Sequence, residues 1–520
     1  MDTTYKQLAK FIASLTDDFF NKLLLAFAIA TALFVYSYEI TNFSLSIDEE
    51  IHSFIAENWL EWIAQGRWGM GVLTYILPQG LSSIPFLPTF LFAVGLALSA
   101  VLFSKILTHN RPSAIVFTGI FVTSPIWLHI AEFNTLSWGF SLGLVVTALA
   151  SMYAGIQGIK NFILAGLLLG FSLAIYQSFL ILYLIVALLI LCQKEWEMTG
   201  NKKFEFIAKN FSMLGHLLSN VLVGVVFYYI LNCLFMFLAG SNIVYLNNFI
   251  NISSYITNGS DAVIRVLHKT EGLLFGTDPT FLGIGVGSLL LAWIGSLAIT
   301  LKLFDRNVGF LNKVYAIILS IGILLLAISL ILLSAGYIPT RALIAFPLLY
   351  AFFSAMAFHC IKGRKILWGI FFVAIFCNIY IANSLFYADH IARQRDLVMA
   401  TQIIARVENV GRDAFGDNIP IIIVGEWRHE ISGPALRVEI FGTSFFEHNG
   451  GNPYRITSYL RLLGCRGLVP MPITEAREKL DGIMLHPSWP AKGSIFRTEH
   501  YVIVKLSEPS YQQGLALQAN

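Results

Sequence analysis

Long apolar runs recur from about residue 22 to residue 387, separated by short polar stretches. Eleven of them have the length of membrane helices, near 22–40, 85–107, 113–130, 136–156, 161–176, 178–193, 211–239, 281–302, 313–335, 342–361 and 365–387. Backbone groups in hydrocarbon must be satisfied within the segment, so these runs are predicted to be helices. The pair 161–193 reads as two short helices broken around Tyr176-Gln177-Ser178, because one long tilted helix would reverse every connection that follows.

Near residue 388 the pattern changes to that of a soluble fold, with acidic and basic residues in equal numbers. Residues 391–410 have the spacing of an amphipathic helix. Ile419–Val424 reads as a buried strand closed by Gly425. Residues 454–463 and 473–480 read as helices, the second capped by Thr474, and Tyr501–Leu506 as a final strand. The predicted fold is a polytopic α-helical membrane protein of about eleven spans (residues 1–387) followed by a small α/β domain outside the membrane (residues 388–520).

Loop charge sets the predicted orientation. Lys105 and Arg111, Lys160, then Lys194, Lys202, Lys203 and Lys209, then Lys302, Arg306 and Lys313, and finally Lys362, Arg364 and Lys365 follow the even-numbered spans. The positive-inside rule puts these loops and the N-terminus in the cytoplasm and the tail outside. The first residues, with Asp2, Lys6, Lys10, Asp17, Asp18 and Lys22, form an amphipathic lead-in rather than a cleavable signal peptide.

Composition agrees: mean hydropathy is +0.70, and only 12% of residues are charged. A net charge of +3 gives no case for nucleic acid. Of the five cysteines, Cys192, Cys233, Cys360 and Cys377 lie in or beside apolar runs and Cys465 is alone in the tail, so neither a disulfide framework nor a metal-ligand spacing is present. No Walker A sequence, nucleotide-binding glycine fingerprint, GxSxG or HExxH occurs.

The polar residues that stand out fall on the predicted outer side. Asp48-Glu49-Glu50 sets three acids at the mouth of the first span. A partly desolvated carboxylate there suits a general base for an alcohol nucleophile; a solvated loop is the plainer reading. Gln65-Gly66-Arg67-Trp68-Gly69 follows, and Arg341 ends an outer turn. Both arginines could hold a leaving phosphate, and Arg341 could instead simply snorkel. Residues 51–64 have helical spacing, with Trp59, Trp62 and Ile63 as an apolar stripe that could seat a lipid or only anchor the loop. Glu132 in a short turn, Gln177 in the polar break, and Arg265, His268 and Lys269 in the 240–280 loop are candidate cavity residues that could equally cap helices or face solvent. Trp427, Tyr454 and Trp489 are stacking surfaces for a glycan or core aromatics. An outer site has no nucleotide-activated substrate, which favours a lipid-phosphate donor.

Three stretches carry a resemblance: Ser46-Ile-Asp-Glu-Glu50 with Gln65-Gly-Arg-Trp-Gly69, Arg341-Ala-Leu-Ile-Ala-Phe-Pro347, and His486-Pro-Ser-Trp-Pro-Ala-Lys-Gly-Ser494 with Val502-Ile-Val-Lys-Leu506. The chain resembles the GT-C class of membrane glycosyltransferases and, within it, the phage-type O-antigen glucosyltransferases (glucosyl transferase type II). That resemblance implies an inverting enzyme of the bacterial inner membrane with its site and tail in the periplasm. It implies a glucosyl donor on undecaprenyl phosphate, a lipid-linked O-antigen acceptor, and a donor-synthesising glycosyltransferase and flippase in the same pathway, the outcome being lipopolysaccharide modification and serotype conversion. Asp48 carries over as the base, with Glu49 or Glu50 positioning the acceptor or sharing the role, and Arg67 and Arg341 as donor-phosphate contacts. Where that family often has two aspartates this chain has Asp48-Glu49, so either acid could do the chemistry. No nucleotide is expected; clustered acids could hold a divalent cation, though no histidine stands in a ligand position. The alternatives are an O-antigen polymerase or ligase, a lipid-linked glycan transporter or flippase, and a non-catalytic scaffold for the tail. A transporter needs charges at mid-membrane, and spans such as 316–334 carry almost none.

Overall fold

In the computed structural model a helix falls on each of the eleven apolar runs. The structure describes residues 19–53, 58–77, 84–156, 158–197, 203–240, 250–303, 310–361, 364–410, 418–434 and 436–518. The amphipathic lead-in before Phe19, Lys202, Arg306 and Lys362 lie outside the described residues, as do the side chains of Cys192, Lys194, Lys203 and Lys209. Seven described helices are long and apolar enough to cross a membrane, among them Leu87–Leu107, Asn134–Ala154 and Arg364–Asn409. Four shorter apolar helices, Phe19–Val35, Ile159–Ile175, Phe179–Leu191 and Ala345–Cys360, take the remaining runs. The chain is therefore a mostly helical, polytopic membrane-type protein with a small sheet. Large apolar side chains such as Phe237, Ile366 and Phe376 point outward, as lipid-facing residues do.

The break between 161 and 193 is real. The Ile159–Ile175 helix stops at Tyr176, which turns to an extended conformation (φ −155°, ψ 118°), and a new helix starts at Phe179. The stretch 51–64 differs from its prediction at Asn58, whose extended backbone (φ −92°, ψ 119°) starts a short helix, Trp59–Ala64, while Glu49–His52 forms another before it. Trp62 and Ile63 turn inward, and Trp59 packs on the apolar cluster around Trp68.

The Arg364–Asn409 helix runs unbroken across residue 387 and carries the chain from the apolar bundle into the C-terminal region. There a four-stranded sheet has the order β2-β1-β4-β3, with β1 (Ile419–Val424), β2 (Leu468–Met471), β3 (Ile495–Arg497) and β4 (Val502–Lys505). β1 is parallel to both its neighbours and β3 is antiparallel to β4. A central parallel strand is covered on both faces, which is why β1 reads Ile-Pro-Ile-Ile-Ile-Val without alternation. Residues 473–480 form a 3₁₀ turn, Ile473–Lys479, running into a short helix, Leu480–Met484. Pro472 holds the cap position predicted for Thr474, and no side chain caps that end. Trp489 is core, Trp427 packs against that core, and Tyr454 is exposed. Cys465 is buried there too.

The two regions share side chains. Ile47, from the segment after the first apolar helix, inserts into the core formed by Ile403, Ile421, Phe445, Ile456 and their neighbours. Asp396 on the long helix is fully buried and accepts hydrogen bonds from Ser444 Oγ, the Phe445 amide and His429 Nε2. The C-terminal region is thereby fastened against the segment that bears the three acids.

Candidate functional site

Ile47 is anchored, and the residue after it turns sharply. Asp48 has φ 84°, in the left-handed region that aspartate tolerates better than most residues. This turn sends three adjacent acids in three directions. The Asp48 side chain remains 39% exposed and lines a cleft, and its Oδ1 accepts a hydrogen bond from Arg455 Nη2 at 2.5 Å. Glu49 is fully buried; its Oε1 accepts from Ser46 Oγ (2.7 Å) and the Asn134 amide (2.9 Å), and its Oε2 from the Ser46 amide (3.1 Å). Glu50 is also fully buried, with Oε1 against Arg455 Nη1 and Oε2 without a hydrogen-bond partner.

Arg67 is set by the turn before it. Gly66 takes φ 72°, where a side chain would be strained. The Gln177 amide donates to the carbonyls of Gln65 (3.2 Å) and Gly66 (3.0 Å), and Tyr228 Oη donates to that of Gly66 (2.8 Å). Gly69 lies so close to Ala174 that an added Cβ would come within 2.9 Å of its backbone. Held this way, the Arg67 guanidinium lies over the rings of Tyr176 (4.7 Å) and Trp62 (5.8 Å) and donates to Gln65 Oε1 (3.0 Å). Arg341 follows Thr340, whose amide donates to Glu439 of the C-terminal region (3.0 Å). Its guanidinium lies over Phe133 (4.6 Å) and has no carboxylate partner among the described residues.

These groups meet in one cleft of about 140 Å³, lined by Asp48, His52, Glu61, Trp62, Gln65, Arg67, Phe133 and Arg341. A wider groove of about 570 Å³ shares Arg341 and is lined by Lys269, Glu439 and the 336–340 turn. Asp48, with one oxygen that has no hydrogen bond among the described residues, thus lines the same small space as two guanidinium groups. That arrangement can take a proton from a hydroxyl and neutralise an anion. The contributing connections follow the first, third, fifth, seventh and ninth apolar helices, and Arg455 and Glu439 come from the region after the eleventh.

The other sequence candidates lie around this cleft. Gln177 supports the 65–67 turn. Trp68 is buried among Phe171, Phe227 and Phe235 behind it. Lys269 donates to Asp278 (2.9 Å) and Thr340 (2.8 Å) at the wider groove. Arg265 is engaged with the Ala335 carbonyl and Ser254 Oγ, and His268 is exposed away from both spaces. Glu132 is buried; burial pushes its carboxyl well above the usual range, and Asp389 beside it adds to the effect. Among the described residues no group of three or more histidine, cysteine or acidic side chains is arranged to hold a metal ion. Sequence reasoning missed Arg455, 407 residues from Asp48, and Glu439, 99 residues from Thr340. The available signal was charge balance: three adjacent acids call for a cation, and Arg455 meets two of them, Asp48 and the buried Glu50.

Burial also pushes the Glu49 carboxyl up to about 8, against the opposing pull of the Ser46 and Asn134 donors. The folded state therefore keeps a proton that the unfolded chain, titrating near ~4.3, gives up. Stability contributed by this proton is complete below ~4.3, falls as pH rises, and is lost once pH passes about 8. Glu49→Gln should flatten the fall in thermal stability across that window in detergent, by at most about 1.4 kcal/mol per pH unit. Some slope should remain, since burial raises the Glu50 and Glu132 carboxyls as well. An unchanged slope would show that Glu49 is ionised throughout.

A family profile described as glucosyl transferase GtrII matches residues 37–358, which includes every residue lining the cleft. Neither the curated proteins nor the solved structures yield a match.

Proposed function

The chain belongs to the glucosyl transferase GtrII family, and from that premise we propose that it moves glucose from undecaprenyl-phosphate-glucose to lipid-linked O-antigen in the periplasmic cleft. The observation that carries this reading is the placement of Asp48, Arg67 and Arg341 in one cleft. Asp48 takes the proton of the acceptor hydroxyl as its oxygen bonds to the anomeric carbon. The bond from that carbon to the phosphate oxygen breaks, and undecaprenyl phosphate leaves with the electron pair. Arg67 and Arg341 meet the charge that develops on it. A single displacement inverts the centre, so a β-linked donor gives an α-glucoside.

Eleven spans, with the N-terminus cytoplasmic, put every connection that reaches the cleft on the outer face of the bacterial inner membrane. The convergence of alternate connections on one space supports that topology. In this reading residues 1–387 form the membrane-embedded GT-C-like catalytic domain and residues 388–520 a periplasmic α/β domain. The donor arrives from a synthesising glycosyltransferase and a flippase of the same pathway, and serotype conversion is the outcome. The carboxylate–arginine cleft favours group transfer over a flippase, which has no use for a base.

The test is incorporation of labelled glucose into lipid-linked O-antigen by membranes containing the protein, with polyprenyl-phosphate-glucose or a nucleotide-linked glucose as donor. Membranes lacking the protein, at matched total protein, are the control. Protein-dependent transfer from the lipid donor alone is expected. Transfer from the nucleotide donor alone in membranes unable to make the lipid donor, or movement of the intact lipid without a new glycoside, would overturn the proposal.

A further inference from the structure

Arg455 lies outside the matched family region, on the Pro453–Leu462 helix of the C-terminal region. Two acids share its guanidinium, Asp48 through Nη2 and Glu50 through Nη1. The helix is fixed by its Asn452 cap, whose Oδ1 accepts from the Tyr454 and Arg455 amides, and by Ile456 and Leu460 in the apolar core that also holds Ile47. Arginine and partner therefore rest on one rigid unit, although they are 407 residues apart in sequence.

Two consequences follow. Arg455 engages Oδ1 of Asp48 and leaves its Oδ2 without a hydrogen bond among the described residues, on a side chain that lines the cleft. This fixes which oxygen meets the acceptor. Second, one guanidinium is shared between two carboxylates, so Asp48 is held by a cation that Glu50 also engages. A lone Asp–Arg pair would weaken it as a base.

We propose that Arg455 is a positioning residue of the transfer site and Glu50 its charge balance, so that residues 388–520 supply an obligate part of the active centre. This rests on the glucosyl-transfer reading above. The other charged groups facing Asp48 are His52, Glu61, Arg67 and Arg341 around the cleft and His448 on the C-terminal side. Burial holds the His448 imidazole down at about 4, with the Arg455 charge adding to that, so it stays neutral in the working range.

The experiment compares Arg455→Met, Arg455→Lys, Glu50→Gln and the double variant R455M/E50Q in the full-length protein in detergent or nanodiscs. Transfer is measured against pH and normalised to folded protein. Arg455→Met should lower kcat about 100-fold with the donor KM within about two-fold, as expected for a misplaced catalytic group. Guanidinium in the assay should restore part of the rate. Arg455→Lys should recover less than the rescued Met variant, since an ammonium cannot bridge both acids in the same plane. The low-pH limb of the rate should move to higher pH in Arg455→Met and to lower pH in Glu50→Gln. The double variant removes the buried unpaired acid and keeps the test available if Arg455→Met fails to fold. Unchanged kcat per folded molecule in both the single and the double variant, or pH limbs that stay in place, would reduce Arg455 to a structural tie and overturn the proposal. Failure of the wild type to transfer would instead overturn the transfer reading, before any variant is compared.

Discussion

Asp48→Asn is expected to fold, accumulate in membranes like the wild type and transfer glucose about 10²- to 10⁴-fold more slowly, the range typical of a lost general base. Asparagine keeps the shape of the side chain and tolerates the left-handed backbone at φ 84°. Its amide oxygen can still accept from Arg455 Nη2, and Glu50 still pairs the other side of the guanidinium. In the proposed mechanism what is lost is the lone pair that takes the acceptor proton, equivalent to about 3–5 kcal/mol of barrier. Because the side chain is partly exposed, no buried cavity or unpaired charge confuses the result. Glu49→Gln is the matched comparison. Glu49 is bonded to three donors away from the cleft and should keep activity within about ten-fold of the wild type. Loss in Glu49→Gln alone would move the base by one residue, and transfer at the wild-type rate by both variants would rule out the carboxylate mechanism. The check is a time course of labelled product at saturating donor and acceptor.

Arg341→Ala is expected to lower kcat/KM for the lipid donor by about 10²- to 10³-fold, the size of effect seen when one donor to a developing oxyanion is removed. The protein itself should lose little. Among the described residues Arg341 has no carboxylate partner, only the Phe133 ring, so its removal leaves no stranded acid. Most of the deficit should appear in kcat, because charge on the phosphate grows as the glycosidic bond breaks. Arg341→Lys should recover only part, since the ammonium offers a point charge in place of a planar fork. Arg67→Ala should show a similar loss together with a drop in stability, because Arg67 is buried between Tyr176 and Trp62. Initial rates over a donor series, with acceptor saturating, separate kcat from KM. A purely stability-linked loss in Arg341→Ala, with normal kcat/KM per folded molecule, would remove the phosphate role.

Much of this was legible in the sequence because its signals are local. Hydropathy marks each apolar helix, and the polar residues Gln177 and Ser178 mark the break between the fifth and sixth. Loop charge predicts a common side for the connections that bring Asp48, Arg67, Glu132, Lys269 and Arg341 near one another. What was not legible depends on long-range contacts or on a single backbone dihedral. The fates of Asp48, Glu49 and Glu50 differ because the chain turns at Asp48 with a positive φ, and the letters Asp-Glu-Glu carry no trace of that. The helix expected over 51–64 is interrupted at Asn58, whose backbone is extended and whose side chain caps the Leu60 amide, while Trp62 and Ile63 pack inward. Arg455 looks like any arginine on an amphipathic helix until the fold brings it to two acids. Glu439 likewise reveals itself through its contacts with Thr340, Lys269 and His129. Gln177 was placed correctly in a polar break, but its amide supports the arginine-bearing turn and does not line the cleft.

The measurement that bears most directly on the central claim is the configuration of the glucoside made by the purified protein from β-linked polyprenyl-phosphate-glucose, read by NMR of the product. A single displacement with Asp48 as base and the two arginines on the leaving phosphate predicts an α-glucoside, with one polyprenyl phosphate released per sugar transferred. A β-glucoside would contradict it, because retention requires two displacements at the anomeric carbon, and a single one with Asp48 as base inverts it.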